Sequence, residues 1–203
     1  MAPPPSIKSA LMTTAYNVDN GGDIIKDMST GKASTPFVRG AGHVDPNCAL
    51  DPGLVYDAGA DDYISFMCAL GYTAEQIAVL TRDGSVTDCS TRSGSVGDLN
   101  YPAFSVVFSS GDGTVTQRRV VRNARATYTA TITSPAGVDV AVEPQTLQFS
   151  ATQQTQEYAI TFAAQQGGVA EKYTFGSIVW SDGKHKVTSP IAITWPASQA
   201  AAM

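Results

Sequence analysis

The chain has 203 residues, 43% hydrophobic and 15% charged, with 13 Lys+Arg against 18 Asp+Glu for a net charge of −5. That length suits one or two domains, the low charge argues against disorder, and the acidic balance disfavours a dedicated nucleic-acid binder. No apolar run approaches the roughly 18 to 20 residues of a membrane span, and Met1-Ala2-Pro3-Pro4-Pro5 lacks the charged-then-apolar pattern of a secretory leader.

In chain order, the first predicted element is a helix from Ser6 to about Ala15. Prolines precede it, Ser6 is a good N-cap, and Ile7, Ala10, Leu11 and Ala15 fall on one face. A helix this short needs a surface to dock on. From Asn17 to Gly42 the text is turn chemistry. A second helix follows, with Asp61 and Asp62 at its N-terminus, Tyr63, Phe66, Met67 and Leu70 on its apolar face, and Gly71 just past its end. A third opens on a capping box, Thr73 to Gln76, with Tyr72 placed to staple onto Ile77, and ends near Arg82-Asp83-Gly84. Residues 84 to 97 read as a linker.

Beyond Asp98 the apolar period changes from helical to two. Val106 to Phe108, Val115 to Val121, Tyr128/Ala130/Ile132, Val138/Val140/Val142, Leu147/Phe149, Tyr158/Ile160/Phe162, Ile178 to Trp180 and Val187 to Trp195 are the strand candidates. Turns fall at G-D-G (Gly111 to Gly113), S-P-A-G (Ser134 to Gly137), Q-Q-G-G (Gln165 to Gly168) and S-D-G-K (Ser181 to Lys184), where Asp182-Gly183 predicts a two-residue hairpin. Seven or eight short strands in about 100 residues predict a mainly β fold, an antiparallel sandwich of immunoglobulin or fibronectin type III shape. Such a domain implies no chemistry by itself.

The stretch G-A-G-H-V-D-P-N-C-A-L-D-P-G-L-V-Y-D, from Gly40 to Asp57, holds the residue types that activate nucleophiles or bind metals. A His43/Asp45/Cys48 metal site would still need a further ligand and an outer shell, and neither is visible. Serine-protease chemistry would need Ser, His and Asp together with oxyanion donors, and His43 and His185 are the only histidines. The segment therefore reads as a structural turn, with no catalytic residue, no cofactor and no metal assigned. Cys68 and Cys89 flank a short helical stretch and are spaced for one bridge, with Cys48 left over; three cysteines alone do not fix the compartment. Arg118, Arg119, Arg122 and Arg125 form the one basic cluster, read as a solvated strand face or a site for an acidic partner.

Five blocks carry a more specific signal. They are S-I-K-S-A-L-M-T-T-A (Ser6 to Ala15), the Gly40 to Asp57 stretch, D-D-Y-I-S-F-M-C-A-L-G-Y (Asp61 to Tyr72), D-L-N-Y-P (Asp98 to Pro102) and G-S-I-V-W-S-D-G-K-H-K-V-T-S-P-I-A-I-T-W (Gly176 to Trp195). In type and order they resemble the C-terminal portion of plant subtilisin-like serine proteases. The resemblance implies four parts: residues 1–60 as the tail of an α/β catalytic domain, 61–97 as a helical connector, 98–196 as a fibronectin type III-like sandwich and 197–203 as a disordered tail. It implies a bridge between Cys68 and Cys89 with Cys48 free, and an extracellular setting, although the chain as written carries no leader and would otherwise stay in the cytoplasm.

The family's catalytic serine lies in G-T-S-M-A-C-P-H, upstream of the Ser6 to Ala15 block, and its other triad residues lie further upstream still. None of those motifs occurs here, so the expectation is a chain without peptidase activity of its own, with residues 98–196 as its self-sufficient core. Expected partners are the family's catalytic domain or intact subtilases, or a second copy in a homodimer, with no nucleic acid and no membrane. The alternative is a stand-alone interaction module or decoy. Two departures stand out. The Pro-rich lead replaces the family's W-S-P-A-A, as in a fragment, a truncated gene or an alternative start. The family's N-V-G turn is also shortened by about four residues around Asn123, which endangers the register of the flanking strands.

Overall fold

A computed structural model describes residues 4–109, 113–165 and 172–195. Expectations that involve Met1 to Pro3, Gly111 and Asp112, Gln166 to Gly168, Pro196 and the 197–203 tail lie outside the described residues.

Nine strands form two facing sheets among these residues: β1 Val55–Tyr56, β2 Phe104–Val107, β3 Thr114–Arg122, β4 Thr127–Thr133, β5 Val138–Glu143, β6 Thr146–Gln148, β7 Thr155–Ala164, β8 Tyr173–Ser181 and β9 Lys186–Thr194. One sheet runs β1-β3-β7-β5, the other β2-β9-β8-β4-β6. The predicted sandwich is present, with one refinement. β2 lies parallel to β9, Phe104 opposite Ile191 and Val107 opposite Thr194, so the sheets are not wholly antiparallel. The first strand of the second sheet thus runs alongside β9, in the same direction.

Alternation places the core between the sheets. Trp180, Tyr158, Ile160, Phe162 and Ile178 are fully enclosed, Tyr158 meets Trp180 edge to face at 5.0 Å, and Trp195 stacks on Phe108 at 4.8 Å. The same parity acts on β3. Gln117, Arg119 and Val121 point inward while Arg118, Val120 and Arg122 point out. The basic cluster is therefore not one solvated face, because Arg119 is buried.

The shortened turn at Asn123 leaves strand pairing intact. β3 pairs with β7 from Thr114↔Ala163 to Arg122↔Thr155, and β4 pairs with β8 and β6. Since β3 and β4 belong to opposite sheets, the residues between them form a crossover, and shortening it shifts no register. The β8–β9 connection is longer than the two-residue hairpin expected. It spans residues 182–185, and the Asp182 carboxylate accepts the backbone N–H groups of Lys184 at 2.9 Å and His185 at 2.6 Å.

Three longer helices decorate this frame: α1 Pro4–Thr13, α4 Ala60–Ala69 and α5 Ala74–Thr81, with single turns α2 Pro36–Arg39 and α3 Pro46–Ala49 between them. Helix α1 begins at Pro4 rather than Ser6, since a proline in the first turn forfeits no helical hydrogen bond. Its buried residues are Ser9, Ala10 and Thr13, whereas Ile7 and Leu11 are exposed. Local signals set α4 and α5. Asp62 Oδ2 accepts from Gly59 N–H at 2.7 Å; Thr73 and Gln76 bond reciprocally; Gly71 (φ 84°) lies just past α4. Residues 84–97 are not a free linker. Cys89 is bonded to Cys68, and Arg92 donates to the Asp61 carbonyl and carboxylate and to Ser65 Oγ.

Candidate functional site

The Gly40 to Asp57 motif disperses into structural roles. His43 and Tyr16 exchange backbone hydrogen bonds at 3.0 and 2.8 Å, and their rings meet edge to face. Asp45 caps α3, its Oδ1 accepting from Asn47 and Cys48 N–H. Cys48 is an exposed thiol, raised in pKa chiefly by its hydrogen bond to Asp45. These three side chains are thus engaged with their own neighbours, and no group of His, Cys, Asp and Glu suited to a metal occurs among the described residues. Cys68 and Cys89 are joined, with Cα atoms 5.4 Å apart.

The rest of the motif inserts into the sandwich. Leu54 and Tyr56 are buried in its core, and β1 extends the first sheet by pairing Val55 with Arg122 and Tyr56 with Val121. Tyr56 N–H donates to Ser9 Oγ at 2.9 Å, which explains why α1 turns a small polar face inward. The Tyr56 hydroxyl meets that of Tyr158 at 2.8 Å, and Ser189 Oγ donates to it at 3.4 Å. Burial raises both phenol pKa values, so the pair stays neutral. Around this insertion, Arg122 pairs with Asp57 at 2.8 Å, and Asn123 Nδ2 donates to Gly53 O at 2.9 Å.

A charged cluster closes the same junction. The His185 imidazole, 17% exposed, has Nδ1 2.8 Å from Asp182 Oδ2 and Nε2 3.0 Å from Asp51 Oδ2. Lys184 Nζ lies 2.7 Å from the same Asp51 oxygen. Gly53 (φ 83°) permits the approach, because a Cβ there would lie 2.7 Å from Tyr128 Oη and 2.9 Å from His185 Cβ. The Asp182 carboxylate, which accepts from the ring, and then the Asp51 carboxylate beside Nε2 raise the His185 pKa. Burial alone would raise the Asp182 carboxyl, but bonds from the backbone and ring of His185 and from Lys184 N–H outweigh it and hold the group well below the usual range.

Elsewhere the N-terminal segment rests lightly on the sandwich. Phe37 packs edge to face on Tyr173 and Phe175 at 5.0 and 5.2 Å. Between it and the open side of the sheets runs a cleft of 910 Å³, walled by Met12, Phe37, Phe66, Val96 and Val107. Deep in it the Arg119 guanidinium donates to the carbonyls of Gly97, Tyr101 and Ala103 and lies 4.4 Å from the centre of the Phe104 ring. Before Leu54, Ala10 is the one buried apolar side chain among the described residues, while ten large apolar ones, Ile7, Leu11, Met28, Phe37 and Val38 among them, are exposed.

Residues 98–193 match the fibronectin type-III domain family. Over 202 residues the chain is 48% identical to subtilisin-like protease SBT1.4 of Arabidopsis thaliana, covering 95% of this chain and 26% of that protein. The chain belongs with the plant subtilisin-like proteases. Subtilisin-like protease SBT1.7 of Arabidopsis thaliana is 45% identical, with 95% and 26% covered, and subtilisin-like protease SBT3 of Solanum lycopersicum is 41% identical, with 93% and 25% covered. This subtilase chain therefore spans about a quarter of the length of the curated relatives it matches. The family match begins at residue 98, yet β1, more than forty positions earlier by number, completes the first sheet. Sequence reasoning missed that strand; three residues bracketed by D-P-G and D-A-G carry no alternation to detect.

Proposed function

We propose that this chain serves as the non-catalytic end of a subtilisin-like serine endopeptidase, a scaffold on which the catalytic portion is seated, and that it carries no peptidase chemistry of its own. The observation that carries the reading is the contrast within the described residues: a closed aromatic core in the sandwich, and before Leu54 a row of exposed apolar side chains with a single buried one. Apolar surface at that density marks an interface. The placement of both histidines supports the second clause. His43 is held against Tyr16, and His185 lies between two carboxylates, with no serine hydroxyl hydrogen-bonded to either ring among the described residues. Action outside the cell belongs to the same proposal and is supported by the Cys68–Cys89 bond, which persists in oxidising compartments.

The test has two arms. The purified chain should leave a fluorogenic peptide uncleaved, and hydrolysis abolished by a serine-directed phosphonate would overturn that clause. Co-expression with the catalytic portion of a relative should give a complex on size exclusion, lost in Ile7→Glu/Leu11→Glu with thermal stability unchanged. Absence of any complex with the native chain would overturn the scaffold clause.

A further inference from the structure

The junction around His185 joins segments far apart in sequence, since Asp51 and Lys184 are separated by 133 positions. The titratable groups that face the imidazole are Asp182 and Lys184 of its own turn, Asp51 of the loop after α3 and Tyr128 of β4, whose hydroxyl lies 3.5 Å from Nδ1. With the ring protonated, two carboxylates face two cations: Nδ1–H is bonded to Asp182, and Nε2 lies 3.0 Å from Asp51 as an ion-pair contact without a hydrogen bond. A neutral imidazole has only one N–H. Its other nitrogen then turns a lone pair toward an anion held about 3 Å away, and the cluster is left with an excess negative charge.

We propose that Asp51, His185 and Asp182 form a protonation-controlled latch that fastens the 51–57 segment, and β1 with it, to the sandwich, closed with His185 cationic and loosened with it neutral. Gly53 O and Leu54 follow directly on the latched loop, so what loosens Asp51 acts on the seat of Tyr56. The neighbours keep their charge while the ring changes. The hydrogen bond from Lys184 and the nearby His185 ring lower the Asp51 pKa, the bond to Asp51 raises that of Lys184, and burial holds the Tyr128 phenol neutral. Because the folded-state pKa of His185 is raised, the stabilisation is complete below about 6.5, the value for an unperturbed histidine, and is lost as pH climbs through the raised value.

The experiment uses the full chain. The His185 ring is titrated by NMR in the native chain and in Asp51→Asn. Exchange of the Leu54 to Asp57 amides, corrected for intrinsic rates, is compared at acidic and mildly alkaline pH in the native chain and in His185→Gln. The ring should titrate above the free-histidine value, with its midpoint lowered by Asp51→Asn. The corrected opening of those amides should rise at least about threefold toward alkaline pH in the native chain and stay flat in His185→Gln. A midpoint at or below the free value, a midpoint indifferent to Asp51→Asn, or pH-independent opening in the native chain would each overturn the latch. Asp51→Asn alters an exposed side chain, so it keeps the test decisive should His185→Gln fold poorly.

Discussion

Asn100 holds both backbone groups of Val120: its Oδ1 accepts the Val120 N–H at 2.9 Å, and its Nδ2 donates to the Val120 carbonyl at 2.9 Å. One side chain thus does for the outer edge of β3 what a neighbouring strand would do, and Asp98 adds a bond from Arg118 N–H at 2.9 Å. This gives the D-L-N-Y-P block a physical role. It seals a sheet edge that β1, only two residues long, leaves open.

Replacing Asn100 with Leu leaves a half-buried N–H and C=O unpaired at once. The expected cost is about 2 to 3 kcal/mol, read as a lower midpoint in chemical denaturation, with the Val120 amide exchanging faster than those of β8. Unchanged stability would mean that solvent satisfies the strand edge.

Tyr56 belongs to the sandwich core, so that core does not begin at residue 98. Tyr56→Phe, which strands the Tyr158 hydroxyl, should cost about 1 to 2 kcal/mol, and Tyr56→Ala about 3 to 5 kcal/mol. Brief trypsin treatment should cut at Lys26, Lys32 or Arg39, in the exposed turn-rich stretch, and leave a stable product that retains Leu54 and Tyr56. A stable product starting after Arg82 would show that β1 is dispensable.

The Cys68–Cys89 bond closes a loop with a sequence separation of 21. By chain entropy this closure is worth about 3 kcal/mol. Cys89→Ser should lower the stability of α4 and α5 by that order while sparing the sandwich, since the loop contains α5 and none of the sandwich strands. Exchange rates resolved by residue would separate a local loss from a global one.

Much of the sandwich was legible because alternation is a local property: Tyr158, Ile160 and Phe162 announce β7 without reference to their partners. Caps were legible for the same reason, Thr73 and Gln76 being neighbours on one turn. What escaped depends on distance. Nothing in V-Y says that Tyr56 will meet Tyr158, and nothing near Asp51 points to His185. The inward face of α1 escaped too: Ser9 is taken inward by the Tyr56 N–H, a partner 47 positions away. Arg119 was misjudged because its charge outweighed its parity. Carbonyls of 97, 101 and 103, supplied by a loop, make an inward arginine tolerable.

The pairing of Tyr56 with Tyr158 also imposes an order on biosynthesis. The two hydroxyls are 102 positions apart, and at ribosomal speeds of about 5 to 20 residues per second the first tyrosine leaves the exit tunnel roughly 5 to 20 seconds before its partner. Through that interval the nascent chain shows Leu54 and Tyr56 to any chaperone within reach. The short strand that ties the front of the polypeptide to its rear is among the last to be seated.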